Sequence, residues 1–373
     1  MPAREHDDSD ALVDAVRLAA RRREPVRIVG GDSKRFLGRR TPYAQELSTR
    51  EHCGVVNYQP EELVLTARAG TPLTAINAQL DSHGQHLPFD PPQFGPDTTF
   101  GGAIASGLSG PARPFVGPAR DFVLGVRIIN GRGQVLRFGG EVMKNVAGYD
   151  LSRLLTGAFG TLGVLLDVSV KVLPAPRHTS TLCAYMRARQ AIDCLIDLRA
   201  QALPITGAMW HDGELSVRLA GSEQAVEDAR ASLSKSIPAL SDASTNDRWP
   251  ALRDLTARAF RRTPEEGLYR LSVAPASPPV DLPGTCVIDW AGAQRWLVSS
   301  APIGMIRNEA ATLGGHVTRY HAPMVAQEQA PSPETVEDAF HPLPPALYAL
   351  HRRLKAAFDP HGVLNAGRLY PGI

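Results

Sequence analysis

Several features of membrane, nucleic-acid and secreted proteins are missing from this 373-residue sequence. Its opening residues, MPAREHDDSD, are polar and acidic and lack the apolar core of a secretory signal. No uninterrupted apolar stretch approaches the roughly 18 residues that a membrane-spanning helix needs. The net charge of +2 is too small for a nucleic-acid-binding surface. We therefore expect a cytoplasmic protein with no membrane span and no nucleic-acid partner, and we allow for peripheral attachment to the inner membrane through partner proteins.

Cysteine is also scarce, which bears on metal binding. The four cysteines are Cys53, Cys183, Cys194 and Cys286. No pair has the C-x-x-C spacing that is typical of zinc and iron–sulfur sites. We expect free buried thiols and no metal site. If the protein transfers electrons, it has no visible cluster of its own and must deliver them to a partner.

Two common nucleotide-binding signatures are absent. No G-x-G-x-x-G lies between a strand and a helix with an acidic residue about 20 positions further on, and no G-x-x-x-x-G-K-[ST] occurs. A Rossmann dinucleotide fold and a P-loop are therefore disfavoured. The 43% hydrophobic and 21% charged residues are typical of a soluble globular enzyme. The length suits two domains, or one domain with a large insertion.

Periodicity predicts the main elements of the first half. A helix is expected over 9–24 with Leu12, Val16 and Ala19 inward, and a second over 71–84 that Thr71 caps and Gly84 ends. Strands are expected at 25–31, 62–70, 122–130, 134–140 and 162–174, the last one half-buried. Residues 87–115 are predicted to be rich in loops.

The second half predicts an antiparallel α+β domain. A hairpin is expected over 205–221, turning at Asp212-Gly213. Further strands are expected at 182–186 and 316–320 and in the segments YRLSVA, TCVIDW and RWLVSS, with helices at 189–201, 222–235, 303–313 and 345–357. The Pro-, Glu- and Gln-rich segment 323–345 has little periodicity and is predicted to be a mobile loop.

Glycine is concentrated in three segments near strand ends. They read VGGDSKRFLG (29–38), TTFGGAIASG (98–107) and GAFGTLGVL (157–165). Each segment alone is compatible with a tight turn. Such loops also offer several backbone N–H groups to one anion, each bond to a charged partner contributing about 1.5–3 kcal/mol. Together, the three segments favour an anionic, nucleotide-like cofactor bound outside a Rossmann fold.

These segments also carry a resemblance to a known family. PPQFGPDTTFGGAIASGLSGPARPF, the long run from RDFVLGVRIING to GTLGVLLDVSVKVLP and the tail DPHGVLNAGRLY resemble the FAD-binding subunits of bacterial glycolate oxidase. Those subunits belong to the vanillyl-alcohol oxidase and p-cresol methylhydroxylase superfamily of flavoproteins. The resemblance implies an α+β fold, with a two-subdomain FAD-binding domain of the p-cresol methylhydroxylase type, an antiparallel α+β domain, and a C-terminal tail that returns to the first domain.

The resemblance implies domain boundaries and cofactor contacts. The domains are an FAD-binding domain at 1–177, a substrate or cap domain at 178–322, the loop at 323–345, and a C-terminal helix and tail at 346–373. The expected FAD contacts are Gly30, Gly31, Asp32, Ser33, Lys34, Thr99, Gly101, Gly102, Ser106, Gly107, Lys144, Asn145, Gly160, Thr161, Gly163, Val164 and Asn365. Some relatives attach FAD covalently to a histidine in the first loop. Here Asp32-Ser33-Lys34 occupies that loop, so we expect non-covalent FAD.

Catalytic residues are harder to assign. Related catalytic subunits carry a Gly-Glu-His run in the second domain, whereas this chain has LGGHVTRYHAP at 313–323. His316 and Arg319 are candidates, but a regular strand directs them to opposite faces. The difference suggests that this chain is a companion flavin subunit. The resemblance implies a complex that oxidises glycolate or another 2-hydroxy acid such as D-lactate, with a second flavoprotein subunit and an iron–sulfur subunit as partners. A self-sufficient 2-hydroxy-acid dehydrogenase and a non-catalytic assembly subunit remain alternatives.

Overall fold

A computed structural model describes residues 5–140, 150–237, 239–243, 245–323 and 339–373. The chain divides into two compact units. Unit 1 contains Met1–Ser109, Gly117–Ala175 and Pro342–Ile373, and unit 2 contains Gly110–Val116 and Pro176–His341. This division differs from the predicted boundaries in places. Residues 110–116 and 176–177 group with unit 2, as do residues 339–341 of the predicted loop, whereas residues 342–345 of that loop group with unit 1. Most of that loop, 324–338, lies outside the described residues.

The helices of the described residues are α1 (Ser9–Arg22), α2 (Leu73–Asp81), α3 (Phe100–Ser106), α4 (Arg113–Val116), α5 (Ala119–Phe122), α6 (Leu151–Leu155), α7 (Ala188–Arg199), α8 (Glu223–Ser236), α9 (Arg248–Arg253), α10 (Ile303–Thr312) and α11 (Pro345–Phe358). Short 3-10 turns occur at Arg258–Phe260 and Trp290–Gly292. None of these helices is both long and apolar enough to cross a lipid bilayer.

The strands are β1 (Val26–Val29), β2 (Gln45–Ser48), β3 (Val55–Gln59), β4 (Val64–Arg68), β5 (Gln85–His86), β6 (Val123–Ile129), β7 (Val135–Gly139), β8 (Val164–Lys171), β9 (Leu173–Pro174), β10 (His178–Tyr185), β11 (Ile205–His211), β12 (Glu214–Gly221), β13 (Ser241–Asp242), β14 (Gly267–Ser272), β15 (Thr285–Asp289), β16 (Gln294–Ser299) and β17 (His316–His321).

Unit 1 is built on an antiparallel sheet in the order β3-β4-β8-β6-β7, together with the parallel pair β1-β2. The central strand β8 is buried along most of its length. More of β8 is therefore buried than the half that the sequence predicted. Both of its edges are paired, and buried residues occur on both faces, although the face opposite Leu166 carries the polar Asp167 and Ser169. Leu12, Val16 and Ala19 of α1 are buried, as predicted, and α1 packs against β8 through Val164.

Helix α2 shows how a capping pattern can mislead. Thr71 does not cap it, because the Thr71 hydroxyl donates to the carbonyl of Arg68 at 2.7 Å and accepts from the amide of Gly54 at 2.9 Å. The helix instead begins at Leu73 after Pro72. Its predicted inward residues Leu73, Ile76 and Leu80 are buried, and Gly84 follows the helix with φ +62°.

The stretch 87–115, which is predicted to be rich in loops, contains helix α3, which was not predicted from the sequence. Thr99 caps α3, since its side chain accepts a hydrogen bond from the amide of Gly102 at 3.3 Å. Gly101 and Gly102 lower the intrinsic helix propensity of this segment. Tertiary packing compensates, because Phe100 and Ile104 are completely buried. The second glycine segment is therefore a capped helix that ends at Gly107, where φ is +62°.

Unit 2 confirms the predicted antiparallel α+β organisation. Its sheet has the order β13-β10-β12-β11-β15-β16-β14-β17 in the described residues. The hairpin β11–β12 turns at Asp212 and Gly213, both of which have positive φ. Helices α7 and α8 pack on one side of this sheet through an apolar core that includes Leu195 and Leu233. Residues 342–373, with α11, belong to unit 1, which agrees with the predicted return of the C-terminal tail.

Candidate cofactor site

One cavity in unit 1 brings the three glycine segments together. The predicted contact residues that line it are Gly30, Gly31, Asp32, Ser33, Lys34, Thr99, Gly101, Gly102, Ser106, Gly160, Gly163 and Asn365. Three other predicted residues, Gly107, Thr161 and Val164, do not line the cavity. Lys144 and Asn145 lie outside the described residues. The positions of the lining residues therefore suit a single extended ligand in this unit.

The first segment follows β1 directly and needs its glycines for packing within the protein. A Cβ atom on Gly31 would overlap the carbonyl of Asp97, and one on Gly30 would overlap the hydroxyl of Thr99. These glycines allow the loop 30–34 to lie against residues 97–99. Asp32 then takes a left-handed conformation with φ +54°, which Asp tolerates better than most residues.

The second segment contains two glycines with different surroundings. A Cβ on Gly101 would lie 2.5 Å from the Cβ of Ala69, so this glycine is required by the contact between α3 and the residue that follows β4. A Cβ on Gly102 would meet only the Thr99 hydroxyl, at 3.0 Å. Since Gly102 also lines the cavity, its missing side chain leaves room there. Gly102 is therefore the glycine best suited to close approach by a ligand.

The third segment is held by the C-terminal tail. Phe159 and Gly160 have positive φ values of 53° and 71°. The side chain of Asn365 accepts from the amide of Ile28 at 2.8 Å and donates to the carbonyl of Phe159. Its amide group thus bonds β1 and the third segment at the same time. Asn365, which is predicted to contact FAD, lines the cavity, and its side-chain hydrogen bonds go to the protein.

The predicted residues that do not line the cavity have structural contacts. Gly107 ends α3, and a Cβ there would approach Gly157 to 2.9 Å. The buried hydroxyl of Thr161 donates to the carbonyl of Ala158 at 2.7 Å. Val164 is buried in the core beneath α1. These residues lie behind the cavity wall, where their contacts hold the third segment in place before β8 begins.

Cationic side chains that the glycine pattern did not reveal also line the cavity. The mostly buried Arg27 bonds Glu46 at 2.7 Å and also bonds Asp32. Although burial opposes it, bonding to the two carboxylates raises the pKa of Arg27. Arg368 donates to the carbonyl of Lys34 at 3.2 Å, and burial together with the charge of Arg27 lowers its pKa. Single arginines on a strand and in a tail carry no periodic signal, so sequence reasoning missed both.

The chemistry of the lining suits a dinucleotide such as FAD. Backbone amides of 30–34, with Arg27, Lys34 and Arg368, provide donors and positive charge for a diphosphate. Ala69, Ala105, Phe159 and Leu165 provide apolar walls for a flat ring. The described lining contains no His, Cys or Tyr side chain to which a flavin could be joined covalently. Nor do the described residues contain a group of three or more His, Cys, Asp or Glu arranged to hold a metal ion.

The catalytic candidates lie in unit 2, on β17. His316 pairs with Ser272 and Arg319 with Tyr269, in regular antiparallel register over this stretch. The two side chains therefore point to opposite faces of the sheet, as expected for a regular strand. Burial lowers the pKa of His316, and the charges of Arg270 and His341 act in the same direction. This geometry does not unite His316 and Arg319 in one site.

Comparison with known proteins gives two family matches. Residues 5–139 match the family described as "FAD binding domain", and residues 303–369 match "FAD linked oxidases, C-terminal domain". Among solved structures, p-cresol methylhydroxylase with substrate bound superposes with a TM-score of 0.67 at 12% identity, covering 96% of this chain and 87% of that one. This likeness establishes the fold.

Two curated relatives differ in how much of their length is matched. The chain is 44% identical over 367 residues to glycolate oxidase subunit GlcE of Escherichia coli (strain K12), covering 98% of this chain and 99% of the relative. It is 32% identical over 154 residues to glycolate oxidase subunit GlcD of Bacillus subtilis (strain 168), covering 41% of this chain and only 33% of the relative. The similarity to GlcE is thus nearly full-length, whereas that to GlcD covers about a third of GlcD.

Proposed function

The chain belongs to the family of glycolate oxidase subunit GlcE, FAD-dependent oxidoreductases that act on hydroxy acids, and from this premise we propose that it is the companion flavin subunit of a multi-subunit glycolate oxidase. The complex converts glycolate, or a related 2-hydroxy acid such as D-lactate, to the 2-oxo acid. A second flavoprotein subunit carries out the oxidation, and an iron–sulfur subunit receives the electrons. The observation that carries this proposal is the near-complete match to GlcE beside the partial match to GlcD.

We place the FAD in the cavity of unit 1. The amides of Gly30, Gly31 and Asp32–Lys34 bind the diphosphate, with Arg27 and Arg368 adding positive charge. The segments around Gly102 and Gly160 lie along the rest of the cofactor. Gly107, Thr161 and Val164 support these contacts by packing, and Lys144 and Asn145 remain sequence-based predictions. When bound, FAD supplies a hydride acceptor.

The ionisable groups of the cavity support a companion role. They are Arg27, Asp32, Lys34 and Arg368, three cations and one carboxylate that is bonded to Arg27. Oxidation of a 2-hydroxy acid requires a base of near-neutral pKa to take a proton. The described lining contains no histidine, the side chain whose ordinary pKa is near neutral. The separation of His316 from Arg319 onto opposite faces of β17 also weighs against a self-sufficient dehydrogenase.

Activity of the isolated chain tests the proposal. The purified, FAD-loaded protein is given glycolate or D-lactate and an artificial electron acceptor, and its turnover is compared with that of the complex isolated from the native cell. The companion model expects no substantial turnover by the chain alone. Turnover close to that of the complex would instead establish a self-sufficient dehydrogenase, and His316→Ala and Arg319→Ala would then be assayed separately.

Composition of the native complex distinguishes the remaining alternatives. A tagged chain is purified from its own cell, and flavin and iron are counted per chain in the cytoplasmic and inner-membrane fractions. The companion model expects a second flavoprotein, iron, and flavin on this chain. A chain that copurifies with partners but has no absorbance near 450 nm when isolated would be a non-catalytic assembly subunit.

A further inference from the structure

A buried lysine lies behind the cavity of unit 1, away from the ligand-facing residues. Lys355, on α11, is only 5% exposed. Its ammonium group donates to the carbonyl of Thr161 at 2.7 Å and to the carbonyl of Leu364 at 2.6 Å, and it lies 2.8 Å from the carboxylate of Asp359. A buried ammonium without such partners would be strongly destabilising. All three donor positions of this group are therefore used within unit 1.

The two carbonyl acceptors belong to segments that line the cavity. Thr161 lies between Gly160 and Gly163, both of which line it, and Leu364 directly precedes Asn365, which does so as well. One ammonium group thus bonds the third glycine segment to the C-terminal tail. Because the two segments are about 200 residues apart in the chain, no local hydrogen bond could join them.

Asp359 extends the connection through the tail. Its carboxylate accepts from the amide of Val363 at 3.1 Å and from the amide of Leu364 at 2.7 Å. Asp359 is 1% exposed, so the ion pair with Lys355 is shielded from water. Burial lowers the pKa of Lys355, and the neighbouring carboxylate opposes that change. The pair fixes the turn after α11 that leads to Asn365.

From this geometry we infer that Lys355 is a positioning residue for FAD, clamping the third glycine segment and the C-terminal tail into the conformation that the cofactor requires. The inference rests on the placement of FAD in this cavity and is independent of the substrate and of any partner subunit. It makes cofactor binding and order in residues 355–365 mutually dependent: whatever loosens the clamp weakens FAD binding, and bound FAD stabilises the clamp.

Variants of the full chain test the clamp directly. Lys355→Met removes the ammonium group, and Arg353→Met, an exposed cation on the same helix, is the matched control. FAD is titrated into each apoprotein and its visible circular dichroism is recorded at saturation. We expect the dissociation constant to rise at least tenfold in K355M with an altered flavin spectrum, and to stay within twofold in R353M. A folded K355M with wild-type affinity and spectrum would overturn the proposal.

Misfolding of K355M is controlled by a second variant and by an experiment on the wild type. The double variant Lys355→Met/Asp359→Asn leaves no unpaired buried charge, and we expect it to fold yet still bind FAD at least tenfold more weakly. In the wild-type protein, hydrogen exchange at the amides of Val363 and Leu364 should slow when FAD is added. Equal exchange with and without FAD, or wild-type affinity in the double variant, would refute the clamp.

The placement of FAD is checked separately with Gly102→Val, which fills the cavity without touching the clamp. Loss of FAD from G102V supports the placement, and the K355M result then bears on the clamp alone. Normal FAD binding by G102V would show that the cofactor lies elsewhere, and the clamp proposal would fall with it. The composition of the native complex tests the companion role independently of both results.

Discussion

The side-chain nitrogen of Asn365 donates a hydrogen bond of 2.6 Å to the carbonyl oxygen of Phe159, across 206 positions of the chain. The other end of the same amide accepts from the backbone of Ile28. A single side chain therefore sets the distance between β1, which leads into the first glycine loop, and the third glycine segment. The bond therefore helps to set the shape of the cavity, together with the glycines.

Asn365→Asp should weaken FAD binding. An aspartate keeps the acceptor for Ile28 but loses the donor to Phe159 and brings a carboxylate towards that carbonyl. A net loss of about 1.4 kcal/mol corresponds to a tenfold rise in the dissociation constant, which is within the range for one broken buried hydrogen bond. Fluorescence titration of the apoprotein measures it, with Gln224→Ala on the exposed face of α8 as the control. Unchanged affinity in N365D would mean that the bond does not shape the site.

Three glycine substitutions should have three different outcomes. Gly31→Ala should prevent folding, because its Cβ would overlap the Asp97 carbonyl. Gly102→Val should fold, with the Thr99 hydroxyl moving slightly, and should lose FAD. Gly304→Ala, in α10 with no atom within 4 Å of its Cβ, should retain FAD and gain about 0.5–1 kcal/mol in stability. Circular dichroism gives folding, and the ratio of absorbance at 450 nm to that at 280 nm gives FAD content.

These substitutions show where sequence reasoning succeeds and where it stops. The clusters of glycines identified all three segments that line the cavity, because such clusters can be recognised directly in a sequence. It did not reveal that Gly31 faces Asp97, or that Gly107 and Thr161 lie behind the wall, because those facts depend on contacts between distant parts of the chain. Asn365 was predicted only through the resemblance to a family, because a single asparagine in a tail carries no spacing signal.

The structural roles that were not predicted from the sequence were missed for a different reason. Lys355 lies in an amphipathic helix, where a lone lysine normally indicates the solvated face. Arg27 lies on the short strand β1, where the alternation of residue types does not show which face of the strand points inward. Helix α3 was not predicted because it contains two glycines, which disfavour a helix in isolation. Thr71 was predicted to cap α2 because it precedes a proline at the start of an apolar pattern. In each case tertiary partners decided the outcome.

Acid precipitation should release the flavin. The first loop carries Asp32, Ser33 and Lys34, and the described lining of the cavity offers no His, Cys or Tyr for a covalent bond. After precipitation with trichloroacetic acid, the yellow colour should therefore remain in the supernatant. Chromatography of the supernatant should identify intact FAD in an amount close to one per chain. Flavin that stays with the washed pellet would indicate a covalent attachment and contradict this prediction.

The stability of unit 2 should fall as the pH rises from about 4 to about 6, because of one buried carboxyl group. Burial raises the pKa of Asp289 to about 6, against the opposing hydrogen bonds from the Trp290 amide and the Gln294 side chain. An unfolded aspartate titrates near 3.8. Between these values the folded state holds a proton that the unfolded state has released. The stabilisation is complete below the lower value and is lost once the pH passes the upper one.

Asp289→Asn should remove this dependence. The asparagine oxygen keeps the bond from the Trp290 amide, and its NH2 group replaces the oxygen that accepts from the Gln294 side-chain nitrogen. A half-turn of the Gln294 amide then brings its oxygen, which has no hydrogen-bond partner in the described part of the chain, into position to accept from the new N–H group. One proton corresponds to at most about 1.4 kcal/mol per pH unit in the free energy of unfolding.

Urea unfolding followed by tryptophan fluorescence reports on unit 2 selectively, because all four tryptophans, Trp210, Trp249, Trp290 and Trp296, belong to it. We expect the slope between pH 4 and 6 to flatten in D289N and to persist in Asp228→Asn, an exposed carboxylate on α8. Equal slopes in the wild type and D289N would show that Asp289 does not hold the proton.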